Sequence, residues 1–486
     1  MAIKTTQLSR THRERLLKNG FIREVVKGWY VPGSLDEEPG ESTAWFTSFW
    51  AFCANYLTER FGDAWCIGAE QSLVLATGDW TVPRQLLVRT PKGGSKPLAL
   101  PYGTSIFDVR LALPPAADIE VVNGLRIYKL PAALLAALPS HFASQPLALR
   151  TALAALGDAT DVLAQLLDGG HTTIAGRLAG GFRNIGRASV ADDLLATMRA
   201  AGYTVNEADP FKGLPDVAIN ARETSPYVNR LSMMWQQMRE EVIAHFPPAP
   251  DKPADKAAYL QQVDGVYLSD AYNSLSIEGY KVNAALIERV RSGDWNPDTL
   301  DEDRQLRDAL AARGYWQAFQ QVKRSVSKVL EGDSAGKVAR SDHPAWYREL
   351  FGPSVTAGLL RPTDLAGYRS GPVYIRRSMH VPPGRDAVRE LMPAFFDLLQ
   401  HEESAAVRVV LGHFFFVFIH PYPDGNGRMG RFLMNVMLAS GGYTWTVVPV
   451  ERRGDYMTAL EQASAEKNIV PFTRLLAELT TNASKN

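Results

Sequence analysis

Cysteine is nearly missing from this chain: Cys53 and Cys66 are the two in 486 residues. Two thiols make neither a disulfide framework nor a metal-ligand set, and suit a reducing compartment. Net charge is missing as well, because 52 Lys/Arg offset 52 Asp/Glu, so global electrostatics selects no partner. Long apolar runs are lacking. The longest, around Val409–Ile419, is too short to span a bilayer, and the start MAIKTTQLSR has no apolar signal core. Internal repeats and low-complexity tracts do not occur. The expectation is a soluble cytoplasmic protein, too long for one ordinary core and suited to two to four domains.

What is present is uneven along the chain. Within residues 1–30, Lys4, Arg10, Arg13, Arg15, Lys18, Arg23 and Lys27 face only Glu14 and Glu24. A polar-basic helix is expected over 5–20, ending at Asn19-Gly20, followed by FIREVVKGWYVPG, which alternates like two strands turning near Lys27-Gly28. Helix plus small hairpin with basic flanks suggests a winged-helix fragment. Residues 42–130 mix a helical pattern at Trp45–Arg60 with β-branched runs such as QLLVRT and LRIYKL. From Pro131 to about Tyr203, Ala/Leu-rich helical spacing dominates, and EADPFKGLP (207–215) reads as a break. The half that follows is almost wholly helical, with a linker-like FPPAPDKPADK (246–256) and one exception, GPVYIRRSMHVPP (371–383), whose alternation suggests a small hairpin. The resulting division is 1–35, 36–206, 207–335 and 336–486.

The densest chemistry lies in HPYPDGNGRMGR, residues 420–431. GNGRMG fits the dinucleotide pattern G-x-G-x-x-G, but His-Pro-Tyr-Pro-Asp separates the apolar run from the first glycine, which defeats that reading. A calcium loop fails too, with Arg428 where a ligand belongs and no terminal glutamate. An anion-binding loop entering a helix fits. Gly425 and Gly427 allow positive φ and close approach of main-chain N–H groups to phosphate, and RMGRFLMNVML begins a helix whose N-terminus adds positive potential. Arg428 and Arg431, three apart, project on one face where each can fork onto phosphate oxygens. Asp424, the loop's one carboxylate, suits Mg²⁺. Asn426 can donate to phosphate oxygen, and His420 can take a proton near neutral pH. Together these groups describe phosphoryl or nucleotidyl transfer. Any one alone would be an ordinary turn or helix residue, whereas eight specified positions make a chance match on the order of one in ten million.

The string resembles the Fic motif HPFx(D/E)GNGRxxR, with Tyr422 in place of Phe, and the resemblance covers roughly residues 220–480. Fic enzymes are mostly helical and typically transfer AMP from ATP to a hydroxyl side chain of a target protein. The resemblance implies that His420 deprotonates that hydroxyl and Asp424 binds Mg²⁺. It further implies that Asn426 with the amides of Gly425 and Gly427 holds the α/β-phosphates, and that Arg428 and Arg431 steady the β/γ-phosphates. Upstream, NSLSIEGY (273–280) reads by composition as a helix end with Gly279 as cap and Glu278 facing solvent. It also fits the inhibitory pattern (S/T)xxxE(G/N) of Fic proteins through Ser274, Glu278 and Gly279. In that family the glutamate pairs with the second motif arginine, here Arg431. A carboxylate competes directly with phosphate for a guanidinium.

The stretch Val373–Pro382 takes the place of the family's flap, which would hold an extended target segment beside the loop. His413 reads as a hydrogen-bonded core histidine, and Tyr456 and Trp445 as core packing ahead of a place in the lining of the nucleotide pocket. LLKNGFIREVVKGWYVPG with GAEQSLVLATGDWTVPRQLLVRTP is similar to antitoxins of the AbiEi kind, and the basic segment is open to contact with DNA phosphates, to a solubilising role or to docking of another protein. The fold class expected is multidomain: an N-terminal α+β region, winged-helix-like plus a small α/β module, then an all-α Fic fold with a β-hairpin flap. The function expected is protein adenylyl transfer from ATP with Mg²⁺, autoinhibited by Glu278, on a protein docked at the flap, with homo-oligomers open. The other readings are a DNA-binding regulator with a nucleotide-sensing Fic half, or a Fic enzyme that uses another nucleotide or removes AMP. The intact His420 and full GNGR argue against the family's kinase variant.

Overall fold

The computed structural model describes residues 2–33, 42–214, 225–250, 255–293 and 307–484. Pro215, at the end of the 207–215 break, and residues 251–254 of the linker-like stretch lie outside them. Two compact units emerge, one of Met1–Met233 with Tyr374–Val381, the other of Met234–Val373 with Pro382–Asn486.

The first unit begins with β1 (Ile3–Lys4), α1 (Arg10–Lys18), β2 (Ile22–Val26) and β3 (Trp29–Pro32), the strands forming an antiparallel sheet in the order β1-β3-β2. Ser9 caps α1 by accepting from the His12 amide, and Gly28, at φ 84°, makes the β2–β3 turn. The helix and hairpin thus fall where the sequence placed them. Lys4 pairs with Glu59 and Arg10 with Glu14 at 2.8 Å, and Arg23 Nη1 donates to the Tyr102 hydroxyl at 3.5 Å. Next come α2 (Thr43–Phe61), β4 (Cys66–Ile67), α3 (Ala69–Ala76), β5 (Gln85–Thr90), β6 (Pro97–Ala99) and β7 (Ser105–Arg110), with sheet order β4-β5-β7-β6. β5 and β7 are parallel, Leu86 opposite Ile106 and Val88 opposite Asp108. A hairpin of β8 (Ile119–Val122) and β9 (Leu125–Tyr128) follows. Helix α2 is aromatic on its buried face, and Trp45, Phe49, Phe52 and Leu57 form one core with Ile67, Leu86, Val88 and Ile106. Burial on this scale supplies most of the unit's cohesion.

Helices α4 (Leu130–Ala136), α5 (Pro139–Ser144), α6 (Pro146–Ala155), α7 (Thr160–Gly169), α8 (Thr172–Asn184) and α9 (Ala188–Ala200) build a second core around Phe142, Leu153, Leu178, Phe182 and Leu194. Small residues let the non-helical segment after α9 lie against α8: a Cβ on Gly176 or Gly180 would strike the backbone of Asn206 or Ala208. The unit boundary falls within α10 (Pro226–His245).

The second unit is helical: α11 (Lys256–Ile277), α12 (Ala284–Ser292), α13 (Arg307–Leu330), α14 (Ala335–Thr356), α15 (Arg385–His401), α16 (Ala405–Ile419), α17 (Asn426–Ser440), α18 (Arg453–Ala465) and α19 (Val470–Ala483). Its centre is α16, apolar all round, as a helix enclosed by others must be. Val407, Val410, Phe414, Phe415 and Ile419 are each inaccessible. The antiparallel mate of α16 is α17, with Leu433, Val436 and Met437 buried. Trp235 stacks on Phe415 with ring centroids 5.5 Å apart. No helix among the described residues is long and apolar enough to cross a membrane.

The expected flap hairpin is not a hairpin ladder. Residues 371–383 form no strand; a turn closes where the Ser378 amide donates to the Ile375 carbonyl at 3.2 Å. Pro372, Pro382 and Pro383 lack the N–H a ladder needs. Meanwhile Met379 takes its carbonyl's partner from the first unit, accepting from the Val82 amide at 3.0 Å. The Arg377 amide donates to Thr43 Oγ1 at 3.0 Å, and Met379 and Val381 pack on the α2-centred core. Alternation in the sequence reflected which side chains that core covers, not strand pairing.

Candidate active site

The apolar helix α16 ends on His420, whose φ of 54° and ψ of 58° place a non-glycine residue in the left-handed region. That turn swings the imidazole off the helix axis and into the loop. His420 Nδ1 lies 3.1 Å from the Val417 carbonyl. A carbonyl only accepts, so Nδ1 carries the proton and Nε2 presents its lone pair. Burial pushes this imidazole's pKa down to about 4, against the Val417 hydrogen bond, which raises it, and with the charge of Arg369, which lowers it. His420 is therefore neutral at physiological pH.

The loop is locked by its own side chains. Asn426 sits inside it: Oδ1 accepts from the Tyr422 amide at 3.0 Å and Nδ2 donates to the Tyr422 carbonyl at 2.8 Å. The sequence reading gave this carboxamide a phosphate to hold; the geometry gives it the loop's backbone. Tyr422 stacks on Tyr347 at 3.7 Å between centroids and is buried, so the motif's aromatic position is an anchor. Gly425, at φ 80°, starts α17, and a Cβ there would meet the Phe351 ring. Asp424 Oδ1 accepts from the Gly425 amide at 2.6 Å, Oδ2 lies 3.3 Å from Arg428 Nη2, and the side chain is 63% exposed.

Both arginines are buried. The Arg428 guanidinium lies between the rings of Tyr280 and Phe351, 5.2 and 5.0 Å from their centroids. Arg431 is held from upstream: Nε donates to Ser274 Oγ at 2.9 Å, and Nη2 donates to the Ser274 carbonyl at 3.0 Å and to Glu278 Oε1 at 2.7 Å. Arg428 Nε and Arg431 Nη1 are buried with no hydrogen-bond partner among the described residues. Two unsatisfied N–H donors beside a helix N-terminus are what an anion would satisfy.

Ser274, Glu278 and Gly279 belong to the end of α11. Gly279, at φ 87°, closes a Schellman turn in which the Tyr280 amide donates to the Leu275 carbonyl at 3.1 Å. The helix-end reading of that stretch is correct, and the Glu278 side chain, still 24% exposed, turns Oε1 to Arg431. Its Oε1 lies over Gly427, where a Cβ would collide with it. Burial alone would raise this carboxyl's pKa, yet Arg431 and Arg428 hold it below its usual value; Arg431 is raised in turn by Glu278, against the effect of burial. The carboxylate thus stands at the N-terminus of α17, in the place an anionic ligand would take.

His413 is a core residue, with Nε2 2.8 Å from the Tyr456 hydroxyl and its pKa pushed to about 3 by burial; Tyr456 and Trp445 are buried as well. Two features were not visible in the sequence. Tyr280 and Phe351 flank Arg428, and only Tyr280's place beside Gly279 hinted at a role. Arg369 bonds the backbone under His420 and carried no signal at all, since its partners are carbonyls.

The donor set was weighed for a divalent cation. No cluster of three or more His, Cys, Asp or Glu among the described residues could hold one. Asp424 offers one exposed carboxylate, which fits Mg²⁺ held chiefly by nucleotide phosphates and water.

Residues 344–438 match the Fic/DOC family model. Among curated relatives, protein adenylyltransferase Fic of Drosophila willistoni is 29% identical over 235 residues, 47% of this chain and 41% of that protein. Its counterpart from Drosophila virilis is 30% identical over 233 residues, 47% and 42%. The chain spans about two fifths of the length of these relatives. Of solved structures, a Fic domain containing signaling protein from Bacteroides thetaiotaomicron superposes with a TM-score of 0.38 at 17% identity, over 53% of this chain and 95% of that one. Fic-1 from C. elegans gives 0.39 at 17%, over 66% and 91%.

Proposed function

We propose that this chain, which carries a Fic domain, is a protein adenylyltransferase that moves AMP from ATP to a hydroxyl side chain of a target protein and is held off by Glu278. The observation that carries this reading is the meeting of Glu278, Arg431 and Gly427 at the N-terminus of α17, beside a neutral His420. Bare backbone, a helix N-terminus and two arginines with unfilled donors suit a polyphosphate. A carboxylate seated there competes with the phosphate for the same guanidinium.

In the reaction, His420 Nε2 takes the proton of the target hydroxyl. The freed oxygen bonds to the α-phosphorus of ATP, the bond from that phosphorus to the β-phosphate bridging oxygen breaks, and pyrophosphate departs. The amide of Gly427 faces the phosphates, while the Gly425 amide holds Asp424 Oδ1 and Asn426 keeps the loop in shape for them. Arg428 and Arg431 offset charge at the leaving end once Glu278 withdraws. Mg²⁺, when bound, would be held by Asp424 and would neutralise phosphate charge. Docking of the target at Val373–Pro382 is part of the proposal, supported by the exposed ring of Tyr374.

The test is transfer of label from ATP with Mg²⁺ to the protein itself or to proteins of a cell extract. The wild-type chain should transfer little, Glu278→Gly about tenfold more or better, and Glu278→Gly with His420→Ala none. A Glu278→Gly protein that binds nucleotide yet transfers no part of any nucleotide offered would refute the transferase reading.

A further inference from the structure

The last turn of α16 and both ends of segment 371–383 converge on one buried side chain, Arg369, which is 3% exposed. Its Nε–H donates to the His420 carbonyl at 2.7 Å, and Nη1 to the Gly371 carbonyl at 3.0 Å. Nη2 donates to the Pro383 carbonyl and, at 3.4 Å, to the Ile419 carbonyl. The main-chain amide of Arg369 donates to the Pro421 carbonyl at 2.9 Å. Among the described residues, no carboxylate is bonded to it. Burial lowers the guanidinium's pKa to about 10, which leaves it charged at neutral pH.

The arrangement has a physical purpose. Carbonyls at the C-terminus of α16 lack intrahelical partners and carry the negative end of the helix dipole, so a buried cation there is favoured. A guanidinium presents its N–H groups in one rigid plane, and three separated stretches of chain bound to it are fixed relative to one another. A left-handed non-glycine turn such as that of His420 costs about 1–2 kcal/mol and persists where its surroundings over-determine it. Arg369 grips the carbonyls before and at that turn while its own amide grips the one after.

We propose that Arg369 is a positioning residue: it sets the left-handed turn that aims the His420 imidazole and ties the two stems of segment 371–383, at Gly371 and Pro383, to that turn. A lysine cannot replace it, because a single ammonium reaches too few of the four carbonyls in the required plane.

The consequence for turnover rests on the adenylyl-transfer reading, and the test separates the two. In the Glu278→Gly background, Arg369→Ala and Arg369→Lys should leave nucleotide affinity within about threefold and lower kcat roughly 100-fold with KM little changed, as a displaced base does. Millimolar guanidinium should restore part of the Arg369→Ala rate, and methylammonium should not. Independently of activity, amide exchange in wild-type and Arg369→Ala full-length protein should rise together in peptides covering 371–383 and 416–424, with α13 and α14 unchanged. Exchange that rises in only one of those stretches, or evenly through α13 and α14, overturns the proposal even if the parent transfers nothing. So does an unchanged kcat in an active parent, or loss of nucleotide binding in step with activity.

Discussion

Arg431 serves two groups at once, Ser274 and Glu278, and the proposal places the balance between Glu278 and an incoming phosphate at that one guanidinium. Removing the carboxylate should therefore matter most for ligands that bring the most negative charge. Glu278→Gly is expected to tighten ATP binding about tenfold and to leave AMP binding nearly unchanged, measured by calorimetric titration of both variants. Equal gains for both nucleotides would remove the competition argument. At His420 the lone pair on Nε2 stays available well below the usual histidine range, since burial holds the pKa near 4. Transfer by Glu278→Gly should thus show no acid limb near pH 6.5, and kcat should stay level from pH 7.5 to about 5.5. At this scale the motif's residue types and spacing told which side chains gather at the loop, His420, Asp424, Arg431 and Glu278, while their roles belong to the proposal. At Asn426 the carboxamide bonds the Tyr422 backbone, a partner that loop closure sets and the spacing does not name. Arg369 was silent, since a side chain bound to carbonyls leaves no partner residue type to recognise.

Among the elements, the C-terminus of α11 aims Glu278, and Gly279 makes that end possible with a φ of 87°. Open space surrounds the position of its missing Cβ, so Gly279→Ala tests backbone conformation without a clash. It should cost about 1 kcal/mol of stability and loosen Glu278, raising transfer above wild type but below Glu278→Gly. Chemical denaturation and label transfer on the same samples check both halves of that expectation. Helix periodicity and the Asn-Gly and Lys-Gly turns were readable for α1, β2, β3, α16 and α17, because their hydrophobic spacing and punctuation agree. Segment 371–383 was not. Its alternation matched a strand, but its prolines withhold donors, and Thr43 and Val82, more than 290 positions away by simple subtraction, supply hydrogen-bonding groups that no local pattern encodes.

Across the whole molecule, the change from mixed to helical sequence patterning foreshadowed an α+β part and a helical part, while the allocation of 374–381 to the first unit depends on tertiary packing. Two buried histidines, His343 and His413, and the half-buried His420 give the molecule a pH signature. Burial lowers His343 to about 4, His413 to about 3 and His420 to about 4. Between pH 6.5 and 4 the unfolded chain binds protons at these sites and the folded chain does not. Their contribution to stability is full above about pH 6.5 and falls as the medium acidifies, by on the order of 3 kcal/mol for each by pH 4. Melting temperature should drop steadily from pH 7 to 5, less steeply in His413→Gln; a flat profile would contradict the burial of these rings. The central claim is adenylyl transfer restrained by Glu278, and one measurement addresses it most directly. Glu278→Gly protein is incubated with Mg²⁺ and ATP labelled either at the α- or at the γ-phosphate, and protein-bound label is counted beside the wild type and the His420→Ala double variant. The account predicts α-label on protein, no γ-label, a much weaker signal in the wild type and none without His420. Protein-bound γ-label, or equal α-label with and without His420, would contradict it.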